Sequence, residues 1–177
     1  MNRNLLTGLM LWLTSCIAVA SPVTLKPGIN YMDLNHDGIK DMVVMAQFDN
    51  NTSHPNLGLT FIVSCPNGGY CIMPVANSNL FTWFDYRLSA DAEFLVQDNR
   101  LYKFRNRYFL MTATKKGENA FEPGKTELRT YRFTESQDDP GVPLYDWVLH
   151  KTQLTKNAYQ SASEAWQEVD EEVFNEH

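Results

Sequence analysis

Three cysteines and four histidines are all that this chain of 177 residues carries. Cys16, Cys65 and Cys71 are too few for the several bridges that hold a small disulfide-stapled scaffold together. No second pair of Cys or His stands at the spacing a zinc site needs. His36, His54, His150 and His177 form neither His-x-His nor His-Glu-x-x-His, so no catalytic zinc set is visible. Nucleophile signatures are missing as well: there is no Ser-x-x-Lys, no Lys-Thr-Gly, no Gly-x-Ser-x-Gly and no Gly-rich phosphate loop. A triad assembled in space needs no such pattern, yet these absences shift the expectation from an enzyme to a binding protein. An excess of basic charge is absent too. Fifteen Lys and Arg stand against 21 Asp and Glu, a net −6, which argues against a nucleic-acid partner. Long apolar runs are confined to the first twenty residues, so no membrane span is expected beyond them.

That first stretch reads as a secretory signal, residues 1–20. A short basic head, MNRN, leads into LLTGLMLWLTSCIAVA, which closes on small residues at Ala18-Val19-Ala20 before Ser21-Pro22. A second reading takes Leu13-Thr14-Ser15-Cys16 as a lipobox, with lipid on Cys16 and the product tethered to a membrane. Removing residues 1–20 takes Arg3 with it and leaves 14 basic and 21 acidic side chains, a formal −7. Residues 21–177 have the length of one domain with a single sizeable core.

Within that domain, period-two alternation and β-branched or aromatic runs dominate. MVVMAQF, LTFIVS, IMPVA, EFLV, RLYKF, YFLMTAT, LRTYRF and YDWVLHKTQL each have strand length. Asn50-Asn51, Pro66-Asn67-Gly68-Gly69, Asp98-Asn99 and Asp138-Asp139-Pro140-Gly141 punctuate them. The fold class expected is mainly β, an antiparallel β-sandwich or open barrel. The period changes near the C-terminus. Ser161-Ala162-Ser163-Glu164 has the form of a capping box. Ala162, Trp166, Val169 and Val173 then fall at helical spacing, predicting an α-helix over about 161–177. Its apolar stripe packs on a sheet, and its acidic face is solvated.

The stretch DLNHDGIKD, Asp33 to Asp41, places oxygen-bearing side chains at alternate positions. Asp33, Asn35 and Asp37 occupy positions 1, 3 and 5 of a calcium loop. Gly38 allows the sharp turn, Ile39 offers its backbone carbonyl, and Asp41 supplies a further carboxylate. It is not an EF-hand. Val44 stands where the bidentate Glu belongs, Pro27-Gly28 leaves no room for an entering helix, and a strand follows. The expectation is a strand-loop-strand calcium turn with a structural ion of modest affinity. The alternative is an Asx-rich turn held by its own side-chain hydrogen bonds. Cys65 and Cys71 flank the turn CPNGGYC, where a disulfide fits an oxidising compartment; two buried free thiols are the other reading.

Charge is unevenly distributed. Residues 100–132 hold nine basic and three acidic side chains, whereas residues 161–177 hold six acids and no Lys or Arg. Most of the basic side chains suit the solvent face of hairpins. A few arginines converging beside an aromatic could instead hold a carboxylate ligand.

Val23-Thr24-Leu25-Lys26-Pro27-Gly28-Ile29-Asn30 and Asp33 to Val44, followed by Asn51, His54 and Leu59-Thr60-Phe61-Ile62-Val63, resemble the CarG-type carbapenem intrinsic-resistance (self-immunity) proteins. These are periplasmic products found with carbapenem biosynthesis in some Gram-negative bacteria. The resemblance covers about the first third of the mature chain. It implies a periplasmic, mainly β protein that gives tolerance to a carbapenem without hydrolysing it, by binding the drug or by protecting its target, a penicillin-binding protein. The competing reading is a calcium-stabilised secreted module that binds a protein or glycan of the envelope. The residues that would contact either ligand are not readable from the sequence.

Overall fold

The computed structural model describes residues 19–48, 55–87, 94–136 and 140–175. The leader, including Cys16, lies almost wholly outside these residues. So do His54, His177, Asn50-Asn51 and Asp138-Asp139 of the expected turns.

Eleven strands are described: β1 (Ser21–Pro22), β2 (Gly28–Met32), β3 (Asp41–Phe48), β4 (Asn56–Ser64), β5 (Tyr70–Ile72), β6 (Trp83–Phe84), β7 (Tyr86–Arg87), β8 (Leu95–Phe104), β9 (Arg107–Lys115), β10 (Gly124–Glu135) and β11 (Tyr145–Tyr159). They form two antiparallel sheets. The larger runs β1-β8-β9-β10-β11 with β7 also on β8; the smaller runs β2-β3-β4-β5 with β6 also on β4. The sandwich, and not the open barrel, is therefore the arrangement adopted.

Strict alternation explains the smaller sheet. Leu59, Phe61 and Val63 of β4 are buried, while Thr60, Ile62 and Ser64 between them face outward. The inward set joins Val43 and Trp83 against Leu101, Leu110, Tyr131 and Trp147 of the larger sheet, forming one core. The larger sheet is covered on both faces. Tyr102, Phe104, Phe109 and Met111 point the other way, into a second core closed by Trp166, Val173 and Phe174. Burial on both sides is why β9 reads as a near-continuous apolar run, YFLMTAT, instead of alternating.

Two sequence expectations are corrected here. Leu95-Val96 of EFLV and the whole of RLYKF belong to a single strand, β8, with Asp98-Asn99 in its middle and not in a turn. Asp98 is tolerated there because its carboxylate accepts from the Trp166 indole Nε1 at 2.7 Å, a partner 68 residues away.

The C-terminal segment is not an α-helix but two 3-10 helices, Ala162–Glu168 and Glu171–Val173. Val169 and Asp170 have extended backbone, and the Asp170 side chain accepts the Glu172 amide at 3.0 Å to start the second helix. A period of three puts Ala162 and Ala165 on one side, both fully buried. The stripe foreseen from spacing does pack on the sheet, with Ala162, Trp166 and Val173 buried and Val169 against them. At the start of the segment, Glu164 accepts the Gln160 amide at 3.0 Å, while the Ser161 hydroxyl accepts the Leu95 amide of β8 at 3.0 Å.

The acidic face is only partly solvated. Glu168 turns back onto the outer edge of β11. Its carboxylate accepts the amides of Lys156 at 2.6 Å and Asn157 at 2.9 Å, the Asn157 side chain at 2.9 Å and the Tyr159 hydroxyl at 2.7 Å. Burial by itself would raise its pKa, but these four donors hold it down at about 2. The folded value lies below the ordinary glutamate value of 4.5, so the contribution is present above pH 4.5 and is lost as the pH falls towards 2. Amide exchange should show Lys156 and Asn157 losing protection across that window. In Glu168→Gln the same amides should exchange fast at every pH, and unchanged protection in that variant would refute the clamp.

Candidate functional site

One end of the sandwich gathers three connections: the loop of residues 33–40, the turn between Cys65 and Cys71, and the ends of β10 and β11. Cys65 and Cys71 are disulfide-bonded, with Cα atoms 5.5 Å apart, which decides between the two readings of these residues. Beside the bridge opens a cleft of about 820 Å³, lined by Pro66, Asn67, Glu135, Ser136 and Leu144. Glu135 also lines an adjoining cleft of about 370 Å³, whose walls include Asn35, His36, Arg107, Tyr108 and Arg132.

The loop is positioned by Asp41. This residue is fully buried, and its two carboxylate oxygens accept the Leu34 amide at 2.7 Å and the Ser64 amide at 2.9 Å. Burial raises its pKa most, the two amides pull it down, and Asp37 and Asp33 push it up; the outcome lies above the ordinary range. The remaining loop residues bond locally. Asp33 Oδ2 accepts the Gly38 amide at 3.1 Å, Asn35 Oδ1 that of Asp37 at 3.3 Å, and Asp37 Oδ1 that of Ile39 at 2.6 Å. These are the Asx bonds that a tight turn uses. Ile39 itself is exposed. Among the described residues, no group of three or more His, Cys, Asp or Glu is arranged to hold a metal ion. One atom is left over: Asp33 Oδ1 is buried without a hydrogen-bond partner.

The turn carries His36 in the left-handed region, at φ 64°, and lays its ring along Tyr108 with centroids 6.2 Å apart and planes at 19°. Lys103 Nζ stands 5.2 Å from the same Tyr108 ring. Asn35 reaches the Tyr145 hydroxyl at 3.4 Å, tying the loop to β11. The site is thus a shallow cleft lined by Arg107 and Arg132 together with the stacked rings of His36 and Tyr108. Such a surface suits a flat, anionic molecule with apolar edges. Sequence reasoning found the loop and the basic segment. It did not select Arg107 and Arg132 from nine basic side chains, nor Glu135, Ser136 and Leu144, because only strand register brings them to one end.

Residues 25–168 match the family described as "Carbapenem resistance protein CarG-like". The chain belongs to the CarG-like carbapenem resistance family. It is similar to a solved structure titled "Crystal structure of CarG", at 62% identity and a TM-score of 0.84, over 88% of this chain and 99% of that one. No curated protein matches it. The CarG-like match runs well past Val63, where the resemblance of the quoted segments ends, through β11 and the first 3-10 helix.

The Asp41 clasp yields a stability test. Asp41→Asn keeps the shape but points an amide NH₂ at one backbone N–H, which should cost about 1–3 kcal/mol. Asp41→Ala strands both amides and should cost roughly 2–5 kcal/mol. Urea midpoints at unchanged m-value measure both.

Proposed function

We propose that this CarG-like protein acts in the periplasm and protects against a carbapenem by holding the intact drug in the cleft beside His36 and Tyr108. The observation that carries this reading is that Arg107 and Arg132 line one cleft with the stacked rings of His36 and Tyr108. A carbapenem bears a carboxylate on a compact bicyclic core, which matches a charged anchor next to stacked rings. Two further features support it. The Cys65–Cys71 bridge suits an oxidising compartment, and among the described residues no helix is long and apolar enough to cross a membrane. The hydroxyl that lines the larger cleft, Ser136, is hydrogen-bonded to the carbonyls of Pro143 at 2.7 Å and Leu144 at 3.3 Å, which supports binding over acyl transfer.

The test is carbapenem susceptibility of a sensitive Gram-negative host that exports the protein, alongside binding measured by calorimetry. Arg107→Gln with Arg132→Gln should weaken binding about tenfold or more and return susceptibility towards that of the host alone. Unchanged susceptibility in the exported, folded double variant rules the cleft out. Loss of the drug's β-lactam absorbance on incubation with pure protein would instead establish hydrolysis.

A second reading concerns the loop. The unpartnered Asp33 Oδ1 is the type of atom a calcium ion satisfies, with Asn35, Asp37 and the Ile39 carbonyl beside it as further oxygen donors. Asp41 would contribute as the clasp that holds the loop in place, both its oxygens already accepting amides. Calcium at roughly 1–5 mM should then raise the melting temperature, and Asp33→Asn should abolish the rise. An unshifted melting curve would leave the Asx bonds as the loop's own support.

A further inference from the structure

The two clefts at the end of the sandwich share one charged wall, Glu135. Their linings differ in sign. Arg107 and Arg132 line the smaller cleft, of about 370 Å³. Among the described residues, Glu135 is the single charged side chain lining the larger one, of about 820 Å³, and the single acidic one lining either. Strand geometry explains its place. Tyr131 and Phe133 of β10 pack into the core between the sheets, and Glu135 is the next residue on that face. It stands exposed where the core runs out, directly across from Tyr145 of β11. Its backbone is fixed, because the Ser136 amide donates to the Leu144 carbonyl at 2.7 Å. Burial raises the Tyr145 phenol pKa most, the Asn35 bond lowers it, and the Glu135 carboxylate raises it again. That carboxylate therefore lies close enough to Tyr145 for its charge to be felt there. Among the described residues it forms no ion pair.

We infer that Glu135 selects carbapenems whose substituent carries a cationic amine, so that the preferred ligand is a zwitterion; this rests on the carbapenem reading of the cleft given above. With the drug's carboxylate on the side of Arg107 and Arg132, a substituent directed at the shared wall passes Glu135 and enters the larger cleft. The volumes suit that division. Ligand pockets run from about 300 to 1,000 Å³, so the smaller cleft fits a compact bicyclic core and the larger has room for a substituent. Pro66, Leu144 and the Cys65–Cys71 bridge offer apolar contact to its alkyl part. Glu135 offers the counter-charge, and a negatively charged substituent would be repelled at the same place. Selection of this kind hangs on one side chain.

The test compares two probes with the same core: a carbapenem bearing a primary amine on its substituent, and its N-acetylated counterpart. Calorimetry on the exported protein should show the amine bound about three- to fivefold tighter, the size of an exposed ion pair. Glu135→Gln should bind the two probes alike, and Glu135→Lys should favour the acetylated one. Glu135 is exposed at a strand end, so far-ultraviolet circular dichroism should stay unchanged in both variants. Equal affinity of the wild type for the two probes overturns the selection while leaving carbapenem binding in place. A preference that survives Glu135→Gln also overturns it, and would assign the discrimination to the bulk of the acetyl group or to another residue. Binding of neither probe refutes the carbapenem reading itself, and the selection falls with it.

Discussion

The carboxylate of Asp41 sits without solvent exposure at the start of β3, and two backbone amides from different parts of the chain end on it. A buried carboxylate is costly unless hydrogen bonds surround it. Here both oxygens are used, one for the loop at Leu34 and one for the end of β4 at Ser64. The bond to Leu34 sets that residue, 2% exposed, into the core between the sheets. Everything from Asn35 to Lys40 then projects outward from a fixed root, which brings His36 to Tyr108 and Asn35 to Tyr145. The bond to Ser64 fixes the residue immediately before Cys65, so the disulfide turn starts from the same anchor. Two of the three walls of the cleft therefore depend on one side chain.

The third wall belongs to the larger sheet. Its residues come from the end of the larger sheet where β8 turns into β9. Arg105 and Asn106 take the left-handed backbone that a two-residue hairpin turn requires, at φ 46° and 64°. Lys103, Arg105 and Arg107 gather around that turn, and Arg132 lies near the same end of β10. Four of the nine basic residues of segment 100–132 are thus brought to one end of a molecule of net negative charge. Aromatic faces at Phe104 and Tyr108 lie under two of these cations, at 4.8 Å and 5.2 Å, which limits their freedom.

Much of this was legible in the sequence. Alternating or β-branched and aromatic runs identified β3, β4, β9, β10 and β11, and the short spacing of Cys65 and Cys71 on a glycine-rich turn suited a bridge. The loop from Asp33 to Asp41 stood out, but its spacing describes a metal site and an Asx turn equally well. What sequence spacing cannot separate is a position-9 carboxylate from one turned inward to two amides. Nor could it show that Asp98 is acceptable inside a strand, because Trp166, which satisfies it, arrives from the far end of the chain. The 3-10 character of the C-terminus was hidden for a related reason. Ala162, Trp166, Val169 and Val173 fit an α-helical stripe, and the break at Asp170 comes from Glu168 being drawn to the edge of β11.

The architecture separates two kinds of surface. Charge and aromatic rings meet in the cleft at one end, while the outer face of the smaller sheet has neither charge nor cavity. Under the proposed reading the cleft takes the drug, since a small anion needs fixed donors. Fixed donors are favoured here by construction. The cleft is walled by a disulfide turn, an amide-clasped loop and strand ends of a doubly covered sheet, all of which resist displacement. A ligand entering such a site loses little to ordering of the protein, which is the condition under which a shallow cleft with few contacts can still bind.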